Sequence, residues 1–437
     1  MTKGPNWLIK VKRKPKAYKK LMKRKRIYRK VEGSVARRRS AEKRLKFYGI
    51  VAISISFIFL FSLLYNIIGN GYSAFISTEV KLPITFTKKL VDDDNFHKVV
   101  KSSLRSSFPD VKSRSDKRKL YAITSKAVPH DIKKIFEQNP EYVDKTIDIW
   151  VLASSNVDML LKGKIDRNRD ESERKLSDKQ ISWISKFEEQ GRIRKTFNTR
   201  FFTEGDSREP EMAGILGSIV GSVLVILSCM LFAFPLGVMT AIYLEEFAPK
   251  NKFTDFIEVN ISNLAAVPSI VFGLLGLSVY LQVFGVPRST PLAGGLTLAL
   301  MALPIIVIAT RTSIRAIPQS IRDGAMALGA SKVKTVLHHV LPLAMPGIMT
   351  GSILSIARVL GETAPLLMIG LNAFVVDVPE GFLDAATVMP TQIYRWADSP
   401  ELGFAEKTSA AIIILLLLLI ITNALAVYLR KKFEIRW

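Results

Sequence analysis

The sequence predicts an all-α polytopic membrane protein of six transmembrane helices, with an inserted α+β domain outside the membrane. Three observations predict it. Apolar residues make up 48% of the 437 positions although 23% are charged, and the mean hydropathy is still positive, so charge and apolar surface are segregated along the chain. Six apolar runs reach the roughly 20 residues that a bilayer core requires. Between the first and second runs lies a polar stretch, residues 70–212, too long for a plain loop and patterned for strands and helices.

Residues 1–46 form a basic tail with 20 Lys or Arg against only Glu32 and Glu42, and much of the net charge of +25 lies there. Such a run is solvated rather than packed. Next to an apolar span it reads as a segment attracted to anionic lipid headgroups, in preference to nucleic acid. It does not read as a cleaved signal peptide: its basic region and the apolar run after it are both too long, and no small-x-small site follows. The first span is 47–69. The others are about 214–243, 259–284, 292–314, 347–371 and 408–429. Pro235, Pro268 and Pro304 each fall within a span, where the missing N–H predicts a kink. The single cysteine, Cys229, lies in an apolar run, so no intrachain disulfide forms.

Basic residues in short loops set the orientation. The tail, the loop from Arg311 to Pro346 and the C-terminal RKKFEIRW are basic and belong in the cytoplasm, whereas 372–407 is net acidic and belongs outside. An even number of spans with both termini in the cytoplasm follows, in a bacterial cytoplasmic membrane. The 70–212 segment is then extracytoplasmic. In it, STEVKLPITFT places Val80, Leu82, Ile84 and Phe86 on one strand face. LSDKQISWISKFEEQG predicts a helix with Ser177 as N-cap, a face of Ile181, Trp183, Ile184 and Phe187, and Gly191 as terminator. RIRKTFNTRFF predicts a second strand. His97 and His130 stand apart without paired ligands, and the acidic turn Asp92, Asp93, Asp94 has too few spaced oxygens for a cation site, so no metal or other cofactor is expected.

Residues 213–437 hold the other five spans and one informative loop, 317–345. Here DGAMALG predicts a short helix of small residues ending at Gly329. Ser331 caps a second helix, SKVKTVLHHV, expected to stop at Leu341–Pro342. Small side chains there would let another protein's backbone come close; the plainer reading is an interfacial hairpin resting on lipid. This loop resembles the coupling motif of ABC importer permeases: Glu-Ala-Ala, three residues, Gly, nine residues, Ile, one residue, Leu-Pro. Asp323, Gly324 and Ala325 stand at the first three places, Gly329 at the glycine, His339 where Ile is usual, and Leu341–Pro342 at the end. Three further stretches, ARVLGETAPLL (357–367), FPLGVMTAIYLEEFAP (234–249) and MPTQIYRWADSP (389–400), resemble the A-type permease subunit of the high-affinity phosphate importer, in a long form with an N-terminal extension.

The resemblance covers about residues 214–437. It implies a type I permease-like core and a pathway shared with a second permease subunit. It also implies a cytoplasmic ATPase dimer that grips the loop through Asp323, Gly324, Ala325, Gly329, Leu341 and Pro342, and an extracytoplasmic phosphate-binding protein. The chain has no GxxxxGK[ST] phosphate loop and no nucleophile–base set, so it is not expected to be an enzyme.

The charges of ARVLGETAPLL then acquire a purpose. Spacing of four would put Arg358 and Glu362 on one face of a helix. Arg offers a planar fork to phosphate oxygens. Glu can accept the proton that phosphate keeps near neutral pH and sulfate lacks, which is a route to discrimination. Thr363 adds a hydroxyl. The competing reading is a structural ion pair, since intramembrane charges also pair to hold bundles together. Two other functions stay open: a permease for sulfate or molybdate, and a membrane sensor built on 70–212. For the tail, a peptide of residues 1–46 is expected to float with anionic vesicles and stay behind with neutral ones; equal recovery from both would remove the lipid role.

Overall fold

A computed structural model describes residues 16–88 and 94–433 of the chain. Residues 1–15 of the basic tail, Asp92 and Asp93 of the acidic turn, and the last four residues of RKKFEIRW lie outside the described residues. The chain divides into two units, residues 1–66 and 67–437. The first is helical: α1 begins at Lys16 and continues to Gly71, and it contains the predicted 47–69 span. No proline interrupts those 56 residues, and the stretch rich in Ile, Phe and Leu carries its side chains exposed along its length.

The second unit opens with mixed structure. Strand β1 (Ile76–Thr85) is followed by helices α2 (Phe96–Ser107), α3 (Arg114–Tyr121) and α4 (Val128–Gln138). Strand β2 (Thr146–Leu152), helices α5 (Ser155–Leu161) and α6 (Asp178–Glu189), and strand β3 (Ile193–Phe197) complete it. The three strands form an antiparallel sheet in the order β2–β1–β3. Val80, Leu82, Ile84 and Phe86 are fully buried, as the alternation predicts, and pack with Val99, Leu104, Trp183 and Phe187 in one core. Pro83 interrupts nothing, because β3 pairs with β1 only from Ile76 to Val80; at Pro83 one strand edge is free of partners and needs no N–H donor. Helix α6 starts where Ser177 N–H donates to Gln180 Oε1 at 3.0 Å, and the chain leaves it through Gly191 at φ 65°. Strand β2, TIDIWVL, was not among the predicted elements although it alternates and is β-branched. RFF of the predicted second strand instead turns into a helical turn, Arg200–Thr203, that buries Phe201.

The helices that follow are α7 (Leu216–Ile242), α8 (Lys252–Leu264), α9 (Ser269–Leu275), α10 (Pro291–Arg315) and α11 (Gln319–Ala327). Then come α12 (Lys332–Leu360), α13 (Ala364–Met368), α14 (Met389–Ala397) and α15 (Leu402–Phe433). Five helices of the described residues are long and apolar enough to cross a membrane, and six if the bent pair α8–α9 counts as one. That pair corrects the third predicted span, which is not a straight helix: it turns by 106° at Ala265–Pro268. Pro268 has no N–H to continue α8 and disfavours helical backbone at Val267, so the break falls there. Pro235 and Pro304, by contrast, lie inside uninterrupted α7 and α10, which pack closely; a Cβ on Gly295 would overlap Ser228.

The polar segment is fastened to the helical part by an aromatic cluster of Phe201, Trp396 and Phe404, and by buried charge. Lys162 Nζ lies 2.6 Å from Asp158 and 2.8 Å from Glu406 of α15. Glu406 also accepts from Ser73 at 2.7 Å, and Asp158 from Thr78 at 2.6 Å. Removing Lys162 would take the direct ion-pair partner from two buried carboxylates and leave only the neighbouring buried Lys407 to offset them. Lys162→Met is therefore expected to lower stability by about 3–5 kcal/mol, read as a fall in the thermal midpoint of the purified protein. Adding Glu406→Leu is expected to recover part of the loss; full stability of Lys162→Met alone would show the cluster to be dispensable.

Candidate functional site

Two regions bring predicted residues together. The first is the break after α12. That helix ends at Leu360, Gly361 closes it, and Glu362 and Thr363 lie in the gap before α13. The fifth predicted span, 347–371, is corrected accordingly: the continuous helix starts earlier, at Lys332, and ends at Leu360, and residues beyond it fold back as the separate short helix α13. Pro365 enforces the break, since it cannot donate to a carbonyl of the preceding turn. Arg358 and Glu362 therefore do not share one helical face. The turn still brings them near each other, with Arg358 Nε 3.9 Å from Glu362 Oε1. That is a long contact for an ion pair, and the Arg358 side chain is 49% exposed. The cation sits in the last turn of α12, where the helix dipole favours it. Thr363 is half-buried at the start of α13. Below the break, α13 packs on the bent helix α9 so closely that a Cβ on Gly273 would fall 2.7 Å from Pro365 Cα. Two interrupted helices thus meet where the charges lie.

The second region is the 317–345 loop. Helix α11 carries Asp323, Gly324 and Ala325 and ends in a hydrogen-bonded cap: Gly329 N–H donates to Met326 O at 2.9 Å and Ala330 N–H to Ala325 O at 3.1 Å. Gly329 adopts φ 86°, which a side chain would strain. Asp323 is exposed and takes a hydrogen bond from Gln319 at 3.1 Å; open space surrounds the position a Gly324 Cβ would take, and Ala325 is buried. The tip is apolar and solvent-facing, with Leu328 92% exposed. Ser331 caps the next helix, as its sequence predicts. That helix does not stop at Leu341–Pro342, and here the expectation is corrected: it runs on through both to Leu360. A wider π-turn at Val336–Val340 comes just before Pro342 and makes room for the ring and its missing donor.

Acidic residues that the sequence reading left without a role hold this loop. Glu245 and Glu246 lie in a π-turn, Tyr243–Phe247, at the end of α7. Arg322 of α11, which is buried, gives two bonds to Glu246, at 2.9 and 2.7 Å, and two more to the carbonyls of Ile317 and Ile314 at 2.8 and 3.0 Å. Arg315 meets Glu245 at 2.7 Å, and Arg311 bridges Glu245 at 3.3 Å and Glu258 at 2.5 Å. Two acids at the end of an apolar run, facing a loop with a surplus of arginine, were the available signal. The geometry makes Arg322 a fork that fastens the loop to α7 while filling carbonyls at the end of α10.

Comparison with known proteins agrees with this architecture. Residues 233–435 match the family model described as binding-protein-dependent transport system inner membrane component, and residues 32–171 match a domain of unknown function, DUF3333. The probable ABC transporter permease protein YqgI of Bacillus subtilis is 38% identical over 168 residues, which are 38% of this chain and 57% of that one. The phosphate transport system permease protein PstA 1 of Mycobacterium tuberculosis (strain CDC 1551 / Oshkosh) is 36% identical over 45% of this chain and 64% of its own length. PstA of Yersinia pestis is 32% identical over 50% of this chain and 74% of its own. The chain belongs to the PstA family of phosphate transport permeases. It spans 57 and 64% of the length of the first two of these relatives. Like other PstA-family chains it is a helical, multi-pass membrane component, and DUF3333 covers most of the mixed segment that precedes the shared helices.

The loop clamp is testable through cysteine chemistry, because the one native cysteine, Cys229, is buried. In an Ala325→Cys background, Arg322→Ala is expected to raise the maleimide labelling rate at position 325 at least several-fold. Arg322→Lys is expected to restore little of the protection, since an ammonium cannot reproduce the fork. Unchanged labelling would mean that the loop is held by packing alone.

Proposed function

We propose that this chain is one transmembrane permease subunit of an ATP-driven phosphate importer, with a type I permease core. It forms half of the pathway and pairs with a second, different permease subunit. One observation carries the reading: Arg358, at the end of an apolar helix, is half-exposed on the surface of its own chain. An arginine facing lipid is expensive, so this face belongs against a polar path. The long, weak contact with Glu362 leaves the guanidinium fork free for phosphate oxygens, with Glu362 placed to accept the proton of the anion and Thr363 beside it. Membership in the PstA family supports phosphate as the cargo.

The same proposal gives the other regions their places. The loop with Asp323, Gly324, Ala325 and Gly329, its apolar tip at Leu328 exposed, enters a cleft of a cytoplasmic ATPase dimer; Leu341 and Pro342 lie where the loop joins α12. Closure of the ATPase would pull on α11, and the Arg322–Glu246 fork would pass that movement to α7. Both termini lie in the cytoplasm of a bacterial cell, the basic tail rests on anionic lipid, and residues 70–212 form an extracytoplasmic α+β domain beside the pathway mouth, where a phosphate-binding protein docks. ATP is hydrolysed by the partner and not by this chain.

The test is ATP hydrolysis by the complex of this chain, its partner permease, the ATPase and the binding protein, compared for phosphate, sulfate and molybdate. Stimulation by phosphate alone is expected, with Glu362→Gln losing it or responding to the three anions alike. Stimulation that survives the substitution unchanged would make Arg358 and Glu362 a structural pair. Stimulation by another oxyanion would change the cargo, and none by any would favour a sensor built on 70–212.

A further inference from the structure

The mixed segment contains a cavity of about 540 Å³, in the range of small-molecule sites. One wall is α2, with Val100 and Leu104, continued by Tyr121 and Pro129. The opposing material is polar and comes from elsewhere: Ser154 at the start of α5, and Glu209 and Glu211 on the connector that leads into α7. Glu401, just before α15, completes the lining. The cavity therefore touches the mixed segment and the entrances to two long apolar helices.

Glu211 is the informative group. It is 9% exposed and accepts a hydrogen bond from Ser155 N–H at 3.2 Å, with the Ser125 hydroxyl close by on the same lining. Among the described residues it has no ion-pair partner. Two lysines lie within electrostatic reach, but neither bonds it: Lys126 is engaged by Glu209 at 2.5 Å, and the buried Lys407 donates to Ala213 O at 3.2 Å. Burial holds the Glu211 carboxyl above its ordinary range, and the neighbouring Glu209 adds to the effect. A buried carboxylate without a cation is costly unless something else supplies one. On the same lining, the buried Ser154 Oγ has no hydrogen-bond partner among the described residues. Lysines are present too: Lys101, whose ammonium lies 5.6 Å from the Tyr121 ring centroid, and Lys175. A bare divalent cation would meet too few oxygens here, and an anion alone would be repelled by the glutamates.

We propose that this cavity binds a small zwitterion of about dipeptide size, with its ammonium on Glu211, its anionic end toward Lys101 and Lys175, and its apolar body against Val100, Leu104 and Tyr121. Ser154 Oγ gains its missing partner from the same ligand. Occupancy would tie α2 to the connectors of α7 and α15, which makes the site a means for a solute to stiffen the join between the mixed segment and the helices.

The probe is phenylalanyl-glycine, titrated by calorimetry into the full chain in lipid nanodiscs. It is compared with its N-acetyl derivative, which has no ammonium, and its C-terminal amide, which has no carboxylate. Saturable binding of the dipeptide is expected, weaker by roughly tenfold or more for each derivative, since each loses a charge-assisted hydrogen bond. Glu211→Gln keeps the shape and is expected to abolish the preference for the free amine. Ala122→Trp, at an exposed position on the lining, fills the cavity without touching Glu211 and is expected to abolish binding altogether. No saturable binding to the wild type, equal binding of the N-acetyl form, or binding that survives Ala122→Trp would each overturn the proposal. None of these outcomes depends on phosphate transport, so the site stands or falls apart from the proposed cargo.

Discussion

A charge taken out of water has to find a partner in its own chain, and in this protein those partnerships fix how the polar parts attach to the apolar ones. Lys162 sits between Asp158 and Glu406 and joins a helix of the mixed segment to the start of α15. Arg395 pairs with Asp206, which also accepts from Trp396 at 3.0 Å, so the connector before α7 is bound to α14. Arg322 pairs with Glu246 and ties the loop after α10 to the end of α7. Buried pairs like these add little net stability over a well-packed apolar core, but breaking one is severe. Their effect is to permit one arrangement of the connections and penalise the others.

Arg358 is the exception, and its contrast with the fastened arginines gives it meaning. Arg322 is buried with every bond directed inward, whereas Arg358 is half-exposed with one long contact. A guanidinium held by four bonds is a fastener. One held by a single distant carboxylate, at the end of a spanning helix, is available to something outside the chain. Glu211 shows the same logic with the opposite sign: a buried carboxylate that accepts from Ser155 N–H and has no ion-pair partner among the described residues, set in the lining of a cavity.

Much of this was legible in the sequence, because the strongest signals are local. Alternation from Val80 to Phe86 and helical spacing from Ile181 to Phe187 follow from burial on one face of a strand or helix, which any neighbour satisfies. Gly329 at a helix end and Ser331 at a helix start are properties of single backbone positions. The site was less legible. Spacing alone put Arg358 and Glu362 on one helix, but Pro365 ends that helix before the glutamate, and the two side chains approach across a turn. Pro342 misled in the other direction: a proline in an apolar helix reads as a stop unless the turn before it widens, as Val336–Val340 does. The Glu245–Glu246 clamp was missed since its partners lie 66 to 76 residues away, a separation over which spacing carries no geometry.

The sequence by itself determined that this is a multi-pass helical membrane protein with a polar insert after its first apolar run, since the length and apolarity of a run decide where a chain can leave water. It also determined the individual strand and helix faces and the caps, which depend on neighbours in the chain. Only the tertiary structure decided which charges are spent on holding the chain together and which are left open, that the third run is bent, and that the mixed segment and the connectors of α7 and α15 line a cavity whose Glu211 has no ion-pair partner among the described residues. Those outcomes depend on distances between residues remote in sequence. Desolvation and ion pairing fall off within a few ångströms, so they are settled only when the fold brings the groups that close.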